Sequence, residues 1–238
     1  MEYEREAMRR FWKEVSVARG DDGWQVLLDG RPVKTQGGNP QRLPSEESAQ
    51  LVAGEFAAQG ETVDPRSFVH RDIADFAIDV VREDRKGHIA KLVAFAETDT
   101  LCYRADPDEA LYRRQRDLWE PLVKACEERH GISLERASGI VHRKQADAAM
   151  TALRQRLDRE DEFTLAALVS LASLAASLIV ALGVLEDGSD PEALFAAANL
   201  EEDWQADLWG HDHEAALARK AKLEAFMQAA RFAASVKA

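Results

Sequence analysis

The chain lacks the signatures by which an enzyme of its size usually declares its chemistry. No GxGxxG follows a strand pattern, and no GxxxxGK[ST] loop, GxSxG elbow or HExxH helix occurs. Nucleotide-binding, serine-hydrolase and zincin chemistries of those kinds have no visible carrier. Cysteine is nearly missing: Cys102 and Cys126 stand far apart in 238 residues, outside any CxxC spacing. That argues against a disulfide framework or a thiolate metal site and fits two reduced thiols in a cytoplasm. Positive charge is short as well, with 31 Lys and Arg against 43 Asp and Glu, a formal charge of −12 and a pI near 5.0. Nucleic acid and anionic membrane surfaces are bound through clustered basic residues, so neither is the expected partner. The opening residues, MEYEREAMRR, contain no apolar h-region, and neither a secretory signal nor a transit peptide is expected, which points to the cytosol. No internal repeat or low-complexity tract is present. At this length the chain can bury a core without covalent help.

What the chain does have is one long uncharged run, FTLAALVSLASLAASLIVAL at 163–182, flanked by acids. Its length is that of a transmembrane candidate. Its flanks carry no Lys/Arg cluster or aromatic belt. Leu165, Leu168, Leu171, Leu174, Leu178 and Leu182 recur at steps of three or four, and the other faces are Ala, Ser and Thr. A helix apolar all round with small flanking residues reads as the central helix of a packed bundle.

Before that run, alternation at 15–17, 24–28 and 33–35, with Asp29-Gly30 between the last two, predicts a small antiparallel meander after a short helix ending near residue 13. A further short strand is expected at 42–44. Ser45 is a good N-cap for a helix at 46–59. Ile73, Phe76, Ala77, Val80 and Val81, then Ile89, Leu92, Val93 and Ala96, follow the amphipathic helix template. Residues 98–104 read as extended. Asp106, Pro107 and Glu109 read as N-cap, N1 and N3 of a helix whose buried stripe is Leu111, Leu118, Trp119, Leu122 and Cys126, with a kink or restart at Pro121. Helices at 145–158, 163–182, 191–198 and from 200 onward complete the pattern. The expected fold is α+β, with a small antiparallel β-containing N-terminal domain (1–68) followed by a larger all-helical bundle domain (69–238).

Candidate functional residues concentrate near the C-terminus. His211 and His213, with carboxylates beside them, are the one arrangement that could start a metal-dependent hydrolase site. Residues two apart diverge on a helix, and His70, His88, His130 and His142 are scattered. No metal or other cofactor is therefore expected. Residues 209–214 read alternatively as a helix start after Gly210, with Asp212 as N-cap. Trp204, Gln205 and Trp209 stand beside Glu201, Glu202 and Asp203, an aromatic–acidic combination that suits either packing or a protein-binding hot spot.

Several blocks in fixed order resemble one family. They are Arg10-Phe11-Trp12 with Val15, Leu28-Asp29-Gly30-Arg31-Pro32-Val33-Lys34-Thr35, Leu43-Pro44-Ser45, and Glu55-Phe56 with Gln59. They continue with Thr98-Asp99-Thr100-Leu101-Cys102-Tyr103-Arg104 and Gln115-Arg116-Asp117-Leu118-Trp119-Glu120-Pro121, and end on Gln205 with Trp209-Gly210-His211-Asp212-His213-Glu214. The chain thus resembles the assembly chaperones of the F-type ATP synthase that look after the alpha subunit of the catalytic head. The resemblance implies a two-domain α+β protein, bacterial here, without catalytic activity or bound nucleotide. It implies a monomer that covers the beta-contacting surface of unassembled alpha and then hands alpha over. It also implies a functional carboxylate in the helical domain, at Glu214. With Trp204, Gln205, Trp209 and Asp212, Glu214 makes up the expected partner-binding set. Departures from the family pattern are Phe56 for Trp, Gln36 for a Pro, and the less apolar stretch Phe68-Val69-His70-Arg71.

Overall fold

The computed structural model describes residues 8–139, 142–210 and 213–237. The meander forms as β1 (Val15–Gly20), β2 (Gly23–Leu28) and β3 (Arg31–Pro32), paired antiparallel in that order with Val15 opposite Leu28. Asp29 and Gly30 take φ of +48° and +75°, the left-handed pair that a two-residue hairpin turn requires. The Asp29 carboxylate also accepts the amides of Glu14 (2.8 Å) and Lys13 (3.0 Å), which hold it below the usual carboxylate range. The expected strand at 42–44 shrinks to one bridge between Leu43 and Trp24.

No helix forms at 8–13. This stretch runs extended beside 61–63, with bonds from Arg10 N to Glu61 O and from Val63 N to Met8 O (both 2.9 Å). Tertiary bonds override the local helical preference. The Arg10 guanidinium donates to the Gln59 carbonyl (2.6 Å), and Trp12 is buried with its indole N–H on the Phe56 carbonyl (3.2 Å). Helix α1 (Glu46–Ala57) starts at Ser45, whose hydroxyl accepts the Ser48 amide as an N-cap should. Phe56 fills the family's Trp position as a buried plug, 5.5 Å from the Trp12 ring and 4.8 Å from Phe68.

Helix α2 (Val69–Phe76) passes directly into a π-helical turn, Ala77–Val81, before α3 (Arg85–Glu97). The N-terminus of α2 is capped from afar: Glu55 accepts the amides of His70 (2.7 Å) and Arg71 (2.9 Å). Asp75 and Asp79 clamp the loop that leaves the meander. Asp79 accepts from Thr35 Oγ1 (2.7 Å), Gly37 N (2.9 Å) and Asn39 Nδ2 (2.8 Å), while Asp75 accepts from Gln36 N (3.0 Å) and Gln41 Nε2 (2.7 Å). A proline at 36 has no N–H for Asp75, so the departure at Gln36 adds a bond rather than breaking the turn. The boundary expected at 68/69 falls on Phe68, the buried residue preceding α2. One contiguous core runs from Trp12 to Val236 and takes in side chains on both sides of that boundary.

The helical part continues with β4 (Tyr103–Arg104), α4 (Ala110–His130), β5 (Ala137–Ser138) and α5 (Asp147–Leu157); β4 and β5 pair in parallel. Helix α4 begins three residues later than Asp106 suggested. Residues 106–109 form a turn in which the Glu109 amide reaches the Asp106 carbonyl (2.9 Å), and Glu109 is the N-cap. The helix continues through Pro121 without restarting. Glu120 binds both Arg104 (2.7 Å) and Arg136 (3.1 Å), so three elements meet at one carboxylate.

The run at 163–182 is two helices, not one: α6 (Glu162–Ala175) and α7 (Leu178–Val184). Ala176 takes φ of +49°, and Ser177 caps α7 through the Val180 amide. Left-handed alanine costs about 1 kcal/mol, offset here by partners from the preceding segment. Thr100 donates through N (3.2 Å) and Oγ1 (2.9 Å) to the Ala176 carbonyl. The wholly buried Asp99 accepts the amides of Ile179 (3.0 Å) and Leu101 (3.1 Å). Helix α6 packs against α2, α3, α7 and the C-terminal helix and is the hub of the bundle, as its all-round apolar surface implies. Among the described residues, no helix is long and apolar enough to cross a membrane.

Two expectations follow. A Cβ on Gly37 would stand 2.7 Å from the Asp79 carboxylate. Gly37→Ala should therefore lose about 1–2 kcal/mol in urea unfolding; an unchanged midpoint would contradict the clamp. Burial pushes the Asp99 carboxyl up to about 6, against the amides that favour its charge. The folded protein then holds this proton more tightly than the unfolded chain. Asp99's contribution is complete below about pH 4 and is lost as pH rises through 6, by roughly 2–3 kcal/mol. Asp99→Asn should remove that slope between about pH 4 and 7, and parallel curves for the two proteins would refute it.

Candidate partner-binding site

After α8 (Pro191–Ala198), the last two elements are α9 (Leu200–Trp209) and α10 (His213–Val236), separate helices rather than one continuous from residue 200. Gly210 ends α9 at φ +95°, a conformation unfavourable to any side chain. Of α9 only Leu200 is buried, and in α10 burial begins at Phe226. The C-terminal half of α10 lies against α6, and Ser45 Oγ donates to the Ser235 carbonyl (2.5 Å), tying the chain's end to α1. The rest, α9 with the first half of α10, stands off the core as a hairpin.

Polar bonds hold the hairpin rather than an apolar seam. Arg219 makes a two-pronged pair with Asp203 (2.9 and 2.8 Å), with its guanidinium 4.5 Å from the Phe195 ring centre. Lys222 donates to Asn199 Oδ1 (2.8 Å) and Glu202 (3.3 Å). Gln115, wholly buried on α4, accepts the Ala105 amide (2.8 Å) and donates to Glu201 (2.6 Å). Burial pushes the Glu201 carboxyl up, partly countered by that bond. Exposed ion pairs contribute at most about 1 kcal/mol each, so the hairpin is the part of the fold best suited to local opening.

Between the two helices lies a groove of about 770 Å³. Gln205 and Trp209 line it from α9, and Ala215, Ala216 and Arg219 from α10. Trp209 is 86% exposed, an unusual position for the largest apolar side chain, and Leu208 on α9 and Leu217 on α10 are exposed as well. Trp204 turns elsewhere. It is half-buried, with the Arg114 guanidinium 5.8 Å from its ring centre, so it faces α4 and not the groove. Glu214 is exposed in the first turn of α10, where the positive end of the helix dipole favours a carboxylate. Asp212, like His211, lies outside the described residues. The structure therefore brings Gln205 and Trp209 to one groove with Glu214 at the start of its second wall, and sets Trp204 apart. Among the described residues no three His, Cys, Asp or Glu side chains come together as a metal site would need.

Residues the sequence did not single out are Arg114, Arg219 and Leu217, and Gln115 stood there only within a block of the family resemblance. Gln115 was detectable in principle: it occupies the 111, 115, 119, 122, 126 stripe of α4 as its one polar member. Arg219 carried no such signal, because its partner lies 16 residues away on another helix.

Comparison with known proteins fits this architecture. A family profile described as "ATP12 chaperone protein" matches residues 9–127. The mitochondrial protein atp12 of Schizosaccharomyces pombe is 27% identical over 216 residues, covering 86% of this chain and 74% of that protein. The crystal structure of Atp12 from Paracoccus denitrificans superposes with a TM-score of 0.90 at 35% identity, covering 96% of this chain and 98% of that one. The α+β chain with its antiparallel meander and helical bundle belongs to the ATP12 chaperone family.

Proposed function

We propose that the chain is an assembly chaperone of the F-type ATP synthase that binds the unassembled alpha subunit of the catalytic head. It covers the alpha surface that later meets beta and hands alpha over when beta arrives. The observation that carries this reading is Trp209, 86% exposed on a hairpin held by polar bonds, with Leu208 of the same helix and Leu217 of the other also exposed. A monomeric protein rarely leaves such side chains together in water without a partner to cover them. An unassembled subunit presents a complementary apolar surface, the kind that drives aggregation.

The acids around the groove give the surface its selectivity. Asp207 lines it, and Glu202 and Asp203 line it while latched to Lys222 and Arg219, so a partner whose basic residues displace those latches around an apolar patch is favoured. Charged pairs at a rim steer encounter and reject wrong partners more than they add affinity. That suits a chaperone that must release its client to a tighter one. The reading involves no reaction, metal or cofactor, and places a monomer in the cytoplasm of a bacterium. The hydrolase alternative is built on His213 and on His211, which lies outside the described residues, and among the described residues no third ligand joins His213.

Trp209→Ala should leave far-UV circular dichroism and the unfolding midpoint unchanged while weakening binding of refolded alpha about tenfold or more, as loss of an interface anchor does. Light scattering of diluted alpha, with co-elution, reads both effects. Glu214→Gln should keep the fold and slow association, most clearly at low salt. Normal suppression of alpha aggregation by both variants would exclude the hairpin as the binding surface.

A further inference from the structure

Gly183 is the penultimate residue of α7, without a positive φ, so its backbone is one that alanine adopts freely. Nothing in the packing demands it. A Cβ there would stand 3.5 Å from the two methyls of Leu194, an ordinary contact. Gly183 lines a pocket of about 310 Å³ that opens to solvent between α4, α7 and α8. Leu122, Cys126, Ile179 and Leu182 form its apolar floor, and Ala125 and Ala193 keep its walls low. Gly183, Ala125 and Ala193 leave room there that larger residues would fill.

The mouth is acidic. Glu186, Asp187 and Asp190 ring it, and only Glu186 is neutralised, by Arg129 at 2.9 Å. His130 adds no positive charge at neutral pH, because burial and the neighbouring Arg156 and Arg129 disfavour its imidazolium. The cavity also continues an exposed face. Arg114, Leu118 and Leu122 succeed one another at steps of four on α4, with Leu118 46% exposed. Arg114 is the residue that lies over Trp204 of the hairpin. From 114 to 122 the helix rises about 12 Å, so the cavity and the base of the hairpin are reachable by one partner segment.

We propose that this cavity is a second docking point for the same client, a socket for one large apolar side chain followed or preceded by a basic residue. The inference rests on the reading of the hairpin as the client surface. An apolar side chain that enters loses its contact with water, worth roughly a tenfold or greater gain in affinity. The basic neighbour meets Asp187 and Asp190. A client gripped at both the hairpin and the socket is bound more tightly than by either alone, and either contact can be released first.

The test uses the full chain and refolded alpha subunit. Ala193→Trp, at an exposed position on the socket's wall, places an indole in the socket and should weaken alpha binding about tenfold. Gly183→Ala should leave the melting temperature no lower, since alanine adopts that backbone freely, and yet lower affinity about threefold by narrowing the socket. Trp209→Ala is measured in parallel. Unchanged affinity in both socket variants, with Trp209→Ala weakened, would overturn the socket and leave the hairpin reading standing. Unchanged affinity in all three, or no binding by the unaltered protein, would overturn both.

Discussion

The carboxylate of Asp99, wholly buried and bonded to the amides of Leu101 and Ile179, is the contact that turns the longest apolar run of the chain. Without it the run at 163–182 has every local reason to continue as one helix, since Ala and Leu are the best helix formers and no Gly or Pro interrupts them. Asp99 and Thr100 satisfy the backbone groups that the break exposes, and Ser177 caps the helix that follows. The turn at Ala176 directs α7 across the end of α4, and α8 and α9 follow from there. A buried charge in an apolar core is costly unless bonded. Its position at the one junction where two helix ends need partners explains why it stays.

Downstream of that turn the molecule divides its labour. The body is held by apolar burial, with α6 surrounded by α2, α3, α7 and α10. The hairpin is held by Asp203–Arg219, Glu202–Lys222 and Glu201–Gln115, contacts that are individually weak. A rigid scaffold carrying a loosely latched element is what reversible capture of a client requires, because the client can displace the latches without disturbing the core. The exposed Trp209 and the solvent-open pocket beside Gly183 are both places where the fold leaves apolar surface uncovered. Proteins tend to keep such places where a partner supplies the missing contact.

Most of the architecture was legible in the sequence, for local reasons. Asp29-Gly30 announced the hairpin turn, Ser45 the start of α1 and Pro191 that of α8, each through a residue whose backbone or side chain suits one position only. The N-terminal stretch was misread because Arg10 and Trp12 find their partners 44 or more residues away, at Phe56 and Gln59. The break at Ala176 was hidden because it uses an alanine where glycine usually signals the turn, with its support in Asp99. Of the candidate site, the order of motifs pointed to the segment around Trp209 and Glu214, which is the surface proposed for the partner. Trp204 could not be sorted from Trp209 by spacing, since which tryptophan faces α4 depends on how α9 lies across it.

Hydrogen exchange of the full chain, read peptide by peptide with and without unassembled alpha subunit, tests the assignment of the hairpin most directly. Slowed exchange across α9 and the first half of α10, with α6 unchanged, is the expected result. Protection confined to the meander, with residues 200–222 exchanging as they do in the free protein, would contradict it.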